Sequence, residues 1–222
     1  MLVLAIVTST PDLIVGLVRK ESSIPSVLAQ KIYEDSRQHN ELLTPTVVEL
    51  LAESGHEFPD IEAIVVGCGP GPFTGLRVGM VTAAAMGHAL DVPVYGVSTH
   101  DAIATQLTGS VLVATDARRK EVYWTAYCDG VRVAGPDVIS PKELSILSGT
   151  SVISVPKKLE ASLPEAAAGI KTVDLRPLPE CLVAVADFGV EPGPLEPLYL
   201  RRPDAKEPAA KPKSPAIPDV EL

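Results

Sequence analysis

Cysteine, histidine and aromatic residues are all scarce in this chain, and each shortage rules something out. The three cysteines, Cys68, Cys128 and Cys181, stand far apart and are odd in number. The four histidines, His39, His56, His88 and His100, show no paired spacing. Such a set builds neither a zinc site nor a disulfide framework. Aromatic residues make up 4% of the sequence, and Lys and Arg number 19 against 28 Asp and Glu, for a formal net charge of −9. A chain this acidic lacks the basic footprint by which a protein grips nucleic acid unaided. No uninterrupted apolar run reaches membrane-spanning length. The apolar start, Met1 to Ile6, has no basic flank and no cleavage site, so it reads as a first strand rather than a signal peptide. The expectation is a soluble, cytoplasmic protein without membrane contact.

Apolar sequence is plentiful at 46% of 222 residues, enough for one large domain or two small lobes. Leu2–Thr8 and Asp12–Arg19 are aliphatic runs joined by turn chemistry at Thr10, Pro11 and Asp12, which predicts a hairpin. Ser26–Tyr33 supplies a third strand. From Ser36 to Ser54, Leu42, Leu43, Val47, Leu50 and Leu51 recur at helical spacing, with Gly55 where a C-terminal cap belongs. Pro45 either kinks this helix or stands in the first turn of a second one capped by Thr44. A strand over Ile61–Val66, a helix from about Thr74, a strand over Val92–Val97 and a short helix around Asp101–Leu107 complete the unit. That order predicts a mixed α/β sheet, antiparallel at first and parallel afterwards, covered by helices.

A trimmed copy follows. Strands are expected over Ser110–Thr115, Glu121–Cys128 and Val131–Ile139, then a short helix over Pro141–Leu147. Further strands at Ser151–Val155 and Ile170–Leu175 precede a closing helix over Pro179–Phe188. Tyr123, Trp124 and Tyr127 are read as strand packing, and Arg118 and Arg119 as a solvated turn in preference to a tRNA contact. The expected division is a lobe over residues 1–108, a smaller lobe over 109–202, and a disordered proline-rich tail over 203–222.

The stretch Gly67–Leu90 carries two competing readings. Gly67, Gly69, Pro70, Gly71 and Pro72 form a loop at a helix N-terminus, where backbone N–H groups converge as in an anion cradle. The loop lacks the Gly-Lys-Ser/Thr ending of a P-loop, and its nearby cation is Arg77, so it reads as a structural turn. Beyond it, Gly75, Gly79, Ala83 and Gly87 fall four apart and leave one ridge of the helix bare. Glycine inside a helix costs about 0.8–1 kcal/mol relative to alanine, so a close approach is expected there. This chain's own sheet, its neighbouring helix or another molecule could supply it.

Several segments occur together in order: Leu4–Ile6 with Thr8–Thr10, Arg37-x-His39-x-Glu41-Leu-Leu43, and Gly69-Pro-Gly71-x-Phe73-Thr-Gly-Leu-Arg77-x-Gly79. Asp116–Arg119 with Glu121–Tyr123, and Glu196–Arg201, complete the series. From Met1 to about Asp204 the chain resembles the TsaB (YeaZ) family, the dimerisation subunit of the bacterial tRNA threonylcarbamoyladenosine synthase complex. The resemblance implies a two-lobed actin-like ATPase (RNase H-like, ASKHA) fold with a reduced second lobe. It implies a non-catalytic subunit required for tRNA modification beside the anticodon. The partners implied are a TsaD-like catalytic subunit and, with it, a TsaE-like ATPase, or a homodimer when the chain is alone. On this reading tRNA is reached only through the complex. ATP/ADP and metal belong to the partner subunits, and no cofactor is expected here.

The resemblance places the partner interface on first-lobe helices, at His39, Leu42, Leu43, Thr74, Gly75, Arg77, Gly79, Ala83, Met86 and Gly87. One departure is Ile6-Val7-Thr8, where the family usually has a first-strand aspartate. Val7 offers no oxygen ligand to a hard cation. A second reading, a stand-alone nucleotide-binding actin-like ATPase or kinase, would use Thr8, Ser9, Gly71, Phe73 and Asp116. A third, a metallopeptidase-like protein, lacks paired ligands. TsaD uses two histidines on the corresponding helix; this chain has only His39 there, with Leu43 four residues later.

Overall fold

In strand β1 (Leu2–Val7), successive side chains point to opposite faces. Leu2, Leu4 and Ile6 enter one apolar cluster while Val3, Ala5 and Val7 enter another. Both faces are covered, which is why the strand is apolar throughout rather than alternating. The computed structural model describes residues 1–21 and 24–201, so the expected disordered tail over 203–222 lies outside the described residues.

β2 (Leu13–Arg19) pairs antiparallel with β1, and β3 (Ser26–Tyr33) antiparallel with β2. β4 (Ala63–Gly67) and β5 (Val94–Val97) continue the sheet in parallel, giving the order β3-β2-β1-β4-β5. Helices α1 (His39–Ser54) and α2 (Phe73–Leu90) cover one face, contributing Leu43, Val47, Leu50, Leu76 and Met80 to its core. α1 runs unbroken through Pro45, so no second helix begins there, and Gly55 closes it in the left-handed region at φ 70°.

The second sheet repeats the plan. β6 (Ser110–Asp116), β7 (Val122–Cys128) and β8 (Val131–Ile139) form an antiparallel meander. β9 (Val152–Ser154) and β10 (Lys171–Val173) extend it in parallel, in the order β10-β9-β6-β7-β8. Two sheets of the same antiparallel-then-parallel plan make the two-lobed, actin-like (RNase H-like) architecture. The second lobe is reduced. Where a helix was expected over Pro141–Leu147 there is a single 3-10 turn, Pro141–Glu143. Pro141 suits a first turn, but only Pro141 and Leu144 of Pro141–Leu147 are buried, too few to hold a longer helix. A one-turn α4 (Lys157–Glu160), absent from the expected pattern, follows β9.

Helix α3 (Thr99–Ala104) and helix α5 (Pro179–Val185) lie on the other face of the first sheet. Sequence order had assigned α5 to the second unit. Instead Cys181, Leu182 and Val183 pack with Val3, Ala5 and Val7, because that apolar face would otherwise stand open to water. Among the described residues no helix is long and apolar enough to cross a membrane.

Candidate functional site

The first-lobe sheet ends at Thr8–Thr10, and the loop over residues 68–72 and the start of α2 lie directly on that end. A Cβ on Gly75 would sit 2.3 Å from the Thr8 carbonyl oxygen, and one on Gly79 2.2 Å from Thr8 Oγ1. Further along α2, a Cβ on Gly87 would meet Val94 Cγ2 at 2.2 Å, and Ala83 is fully buried. The bare ridge is therefore the seat of α2 on its own sheet. Of the expected interface residues, Leu43, Gly79, Ala83 and Gly87 are buried in this chain and cannot touch another molecule in this state. His39, Leu42, Gly75 and Met86 are half-buried, and only Thr74 and Arg77 are exposed.

The outward face of α2 is a different stripe, Arg77, Val81, Ala84, Ala85 and His88. Val81 is 66% exposed, and Val48 on the adjacent α1 is 50% exposed. The spacing of 77, 81, 84, 85 and 88 is helical, so the signal was present in the sequence.

The five residues of the nucleotide reading are divided between two places. Thr8 and Ser9 are buried, and Ser9 Oγ shares a 2.6 Å hydrogen bond with Thr99 Oγ1. A Cβ on Gly71 would meet the Ser9 carbonyl oxygen at 2.2 Å, so the loop rests on backbone rather than arching over a space. Phe73 is exposed beside them; its ring lies 5.0 Å from that of Tyr199, with the Arg77 guanidinium 3.9 Å above it. Asp116 faces the cleft between the sheets instead.

That cleft, about 290 Å³, is crossed by ion pairs. Arg176 reaches Asp12 Oδ2 at 2.9 Å and Glu34 Oε1 at 2.8 Å, and Lys158 Nζ reaches Asp116 Oδ2 at 2.8 Å. The hydrogen bond to Asp116 holds the Lys158 ammonium above its ordinary pKa. The remaining Asp116 oxygen accepts from the Arg118 backbone N–H at 2.7 Å. The carboxylate is thus already neutralised by a lysine. No group of three His, Cys, Asp or Glu side chains among the described residues could hold a metal ion. Because Lys158 is half-exposed, Lys158→Met should cost no more than about 1 kcal/mol, or roughly 2–4 °C in thermal unfolding.

A buried polar joint went unread in the sequence. His100, on α3, is fully buried, with Nδ1 2.8 Å from Thr125 Oγ1 and Nε2 2.9 Å from Thr115 Oγ1. One ring nitrogen donates and the other accepts, as neutral imidazole requires. The residue ties the first lobe's last helix to β6 and β7 of the second. Burial pushes its pKa down to about 3. Beside it Tyr127 donates to Asp101 Oδ1 at 2.6 Å, and Arg132 donates to both Asp101 oxygens at 2.7 and 2.8 Å.

The two-lobed fold and the Gly69–Gly79 segment can be set beside known proteins. The family model described as TsaD, tRNA N6-adenosine threonylcarbamoyltransferase, matches residues 26–175. The tRNA threonylcarbamoyladenosine biosynthesis protein TsaB of Escherichia coli is 38% identical over 99 residues, 41% of this chain and 42% of that protein. The solved structure of YeaZ from Pseudomonas aeruginosa superposes with a TM-score of 0.70 at 26% identity, covering 90% of this chain and 99% of that one. The chain belongs to the TsaB (YeaZ) family. An uncharacterized protein of Mycobacterium tuberculosis is 49% identical over 207 residues, 92% of this chain and 93% of that protein. In this TsaB-family chain the transferase-type match begins at β3 and ends just past β10. The seat of α2 on Thr8 thus joins a strand end outside the matched segment to a helix inside it.

Proposed function

We propose that this chain acts in tRNA threonylcarbamoyladenosine biosynthesis as a non-catalytic subunit. It pairs with a TsaD-like catalytic subunit, and a TsaE-like ATPase joins that pair. The tRNA role is supported by the TsaB-named relatives and the transferase family model. The non-catalytic reading is supported by Val7, buried in an apolar cluster, and by Asp12 and Asp116, both engaged in ion pairs. ATP/ADP and metal are assigned to the partner subunits.

The observation that carries the pairing surface is the exposed apolar side chains of Val48 and Val81 on two adjacent helices. Helix faces of this kind bury themselves against a partner helix pair as in a small bundle. The same face serves a homodimer when the catalytic subunit is absent. Val81→Arg is expected to weaken association with a TsaD-like subunit at least tenfold, about 1.4 kcal/mol or more, without lowering the melting temperature. Size-exclusion chromatography with light scattering reads both the heterodimer and the homodimer. Full pairing by Val81→Arg and by Val48→Arg would place the interface elsewhere.

A further inference from the structure

We infer that a groove on the outer edge of the first-lobe sheet is the docking place of this chain's own C-terminal segment, residues 208–218. The groove is a cavity of about 520 Å³, separate from the interlobe cleft and from the outward face of α2. The inference stands apart from the tRNA role and adds a second interaction surface to the subunit.

β5 is the outermost strand of the first sheet and pairs with β4. Among the described residues no strand pairs with its other side. Tyr95, Gly96 and Val97 of β5, with Ser98 after them, form one wall of the cavity. The irregular stretch from Val190 to Pro194 forms another. Val190 is 56% exposed there, and the half-buried Tyr95 ring is backed by Phe188 at 4.8 Å. An open strand edge invites pairing with a foreign chain, and folded proteins cover such edges.

The charge of the lining has one sign. It holds Asp101, Asp187, Glu191 and Glu196 and neither lysine nor arginine. Asp101 is neutralised by Arg132 from outside the lining. Asp187, Glu191 and Glu196 are exposed and have no ion pair among the described residues. Lys20 lies over the Phe188 ring and does not line the cavity. An aromatic ring with apolar neighbours suits a proline-rich ligand, and the free carboxylates ask that ligand for cations.

This chain carries such a segment. A polyproline II ligand turns once in three residues, so prolines three apart share one face. Pro212, Pro215 and Pro218 have that spacing. Lys211 and Lys213 stand beside them, and residues 208–218 contain no Asp or Glu although the whole chain is −9. The described chain also ends within reach. Glu196 lines the groove, and the five residues from it to Arg201 span at most about 18 Å. The ten residues 202–211 can extend to about 33 Å, enough to return. So short a tether gives an effective concentration on the order of millimolar, which fills even a weak site.

Paramagnetic relaxation in the full-length chain tests this. A spin label is placed on Leu222→Cys in a Cys128→Ser background, the other two cysteines being buried. The amide signals of Gly96, Ser98 and Gly193 are expected to lose most of their intensity. Gln30 on β3, at the opposite edge of the sheet, should keep its own. Glu191→Lys combined with Glu196→Lys, both exposed positions, should restore the lost signals. So should the combination Pro212→Ser, Pro215→Ser and Pro218→Ser. Undiminished signals in the otherwise native chain overturn the inference. Loss that survives the charge reversal overturns it too, and loss that survives the proline changes means a strand added to β5 instead. Mixing isotope-labelled chain with unlabelled, spin-labelled chain tests a second copy, and signal loss in that mixture overturns docking within one chain. Val81→Arg should abolish pairing with the TsaD-like subunit and leave the signal loss unchanged, so the two surfaces stand or fall separately.

Discussion

Gly75→Ala should lower the stability of this chain, although the same change in an exposed helix raises it by about 0.8–1 kcal/mol. The added methyl would stand 2.3 Å from the Thr8 carbonyl oxygen, where ordinary contact begins near 3.4 Å. The obstacle is backbone at the end of β1, a strand buried on both faces, so it cannot turn aside. α2 must lift by about an ångström, and overpacking of this kind typically costs about 1–3 kcal/mol. Gly75→Leu should cost more still and leave little folded first lobe.

Gly79 supplies the control. Its added methyl meets a side chain, Thr8 Oγ1, at 2.2 Å. That hydroxyl has no hydrogen-bond partner, so Thr8→Ala should be nearly neutral by itself. Thr8→Ala should therefore rescue most of the loss in Gly79→Ala and little of the loss in Gly75→Ala, where the clash is with backbone. Thermal unfolding of the single and double variants measures the coupling. A higher melting temperature for Gly75→Ala would mean that α2 does not sit this close to β1.

The second large effect is pH dependence through His100. In the unfolded chain this imidazole titrates near 6.5, whereas in the folded protein burial lowers its pKa to about 3. The adjacent Asp101 pulls it back up in part and Arg132 pushes it further down. Between those two values the unfolded state binds the extra proton, so stability rises with pH. The contribution is fully present above about 6.5 and declines by about 1.4 kcal/mol per unit as pH falls towards 3, roughly 5 kcal/mol in all. Carboxylates add their own acid loss below about pH 5, so the comparison is with His100→Gln, which keeps a donor and an acceptor and does not titrate. Denaturant unfolding from pH 7 to pH 4 should show a steeper decline for the wild type. Parallel curves would mean that water reaches His100 and that the lobes are not joined through a dry contact.

The ion pairs across the cleft behave differently. Lys158 and Arg176 are partly exposed, and pairs of that kind are screened and individually small. Their meaning is chemical more than energetic. They place internal cations in the cleft that Asp12 and Asp116 both line.

By itself the sequence determined most of the elements and their order, but not α4, nor that Pro141–Leu147 holds only a 3-10 turn. Alternation and aliphatic runs placed β1 to β8, the leucine spacing placed α1, Gly55 marked its end, and the Gly69–Gly79 string carried the family. These are local properties, written within a few turns or one strand. The tertiary structure alone decided which face of each element meets what. The glycine ridge of α2 proved to be its seat on Thr8, and Val48 and Val81 took the outward face. α5 crossed back to cover the first sheet, and His100 closed onto threonines of the second. Periodicity shows that a helix or strand has a face. What that face touches depends on apolar surface and charge brought together from residues a hundred positions apart, and only the packed chain contains that information.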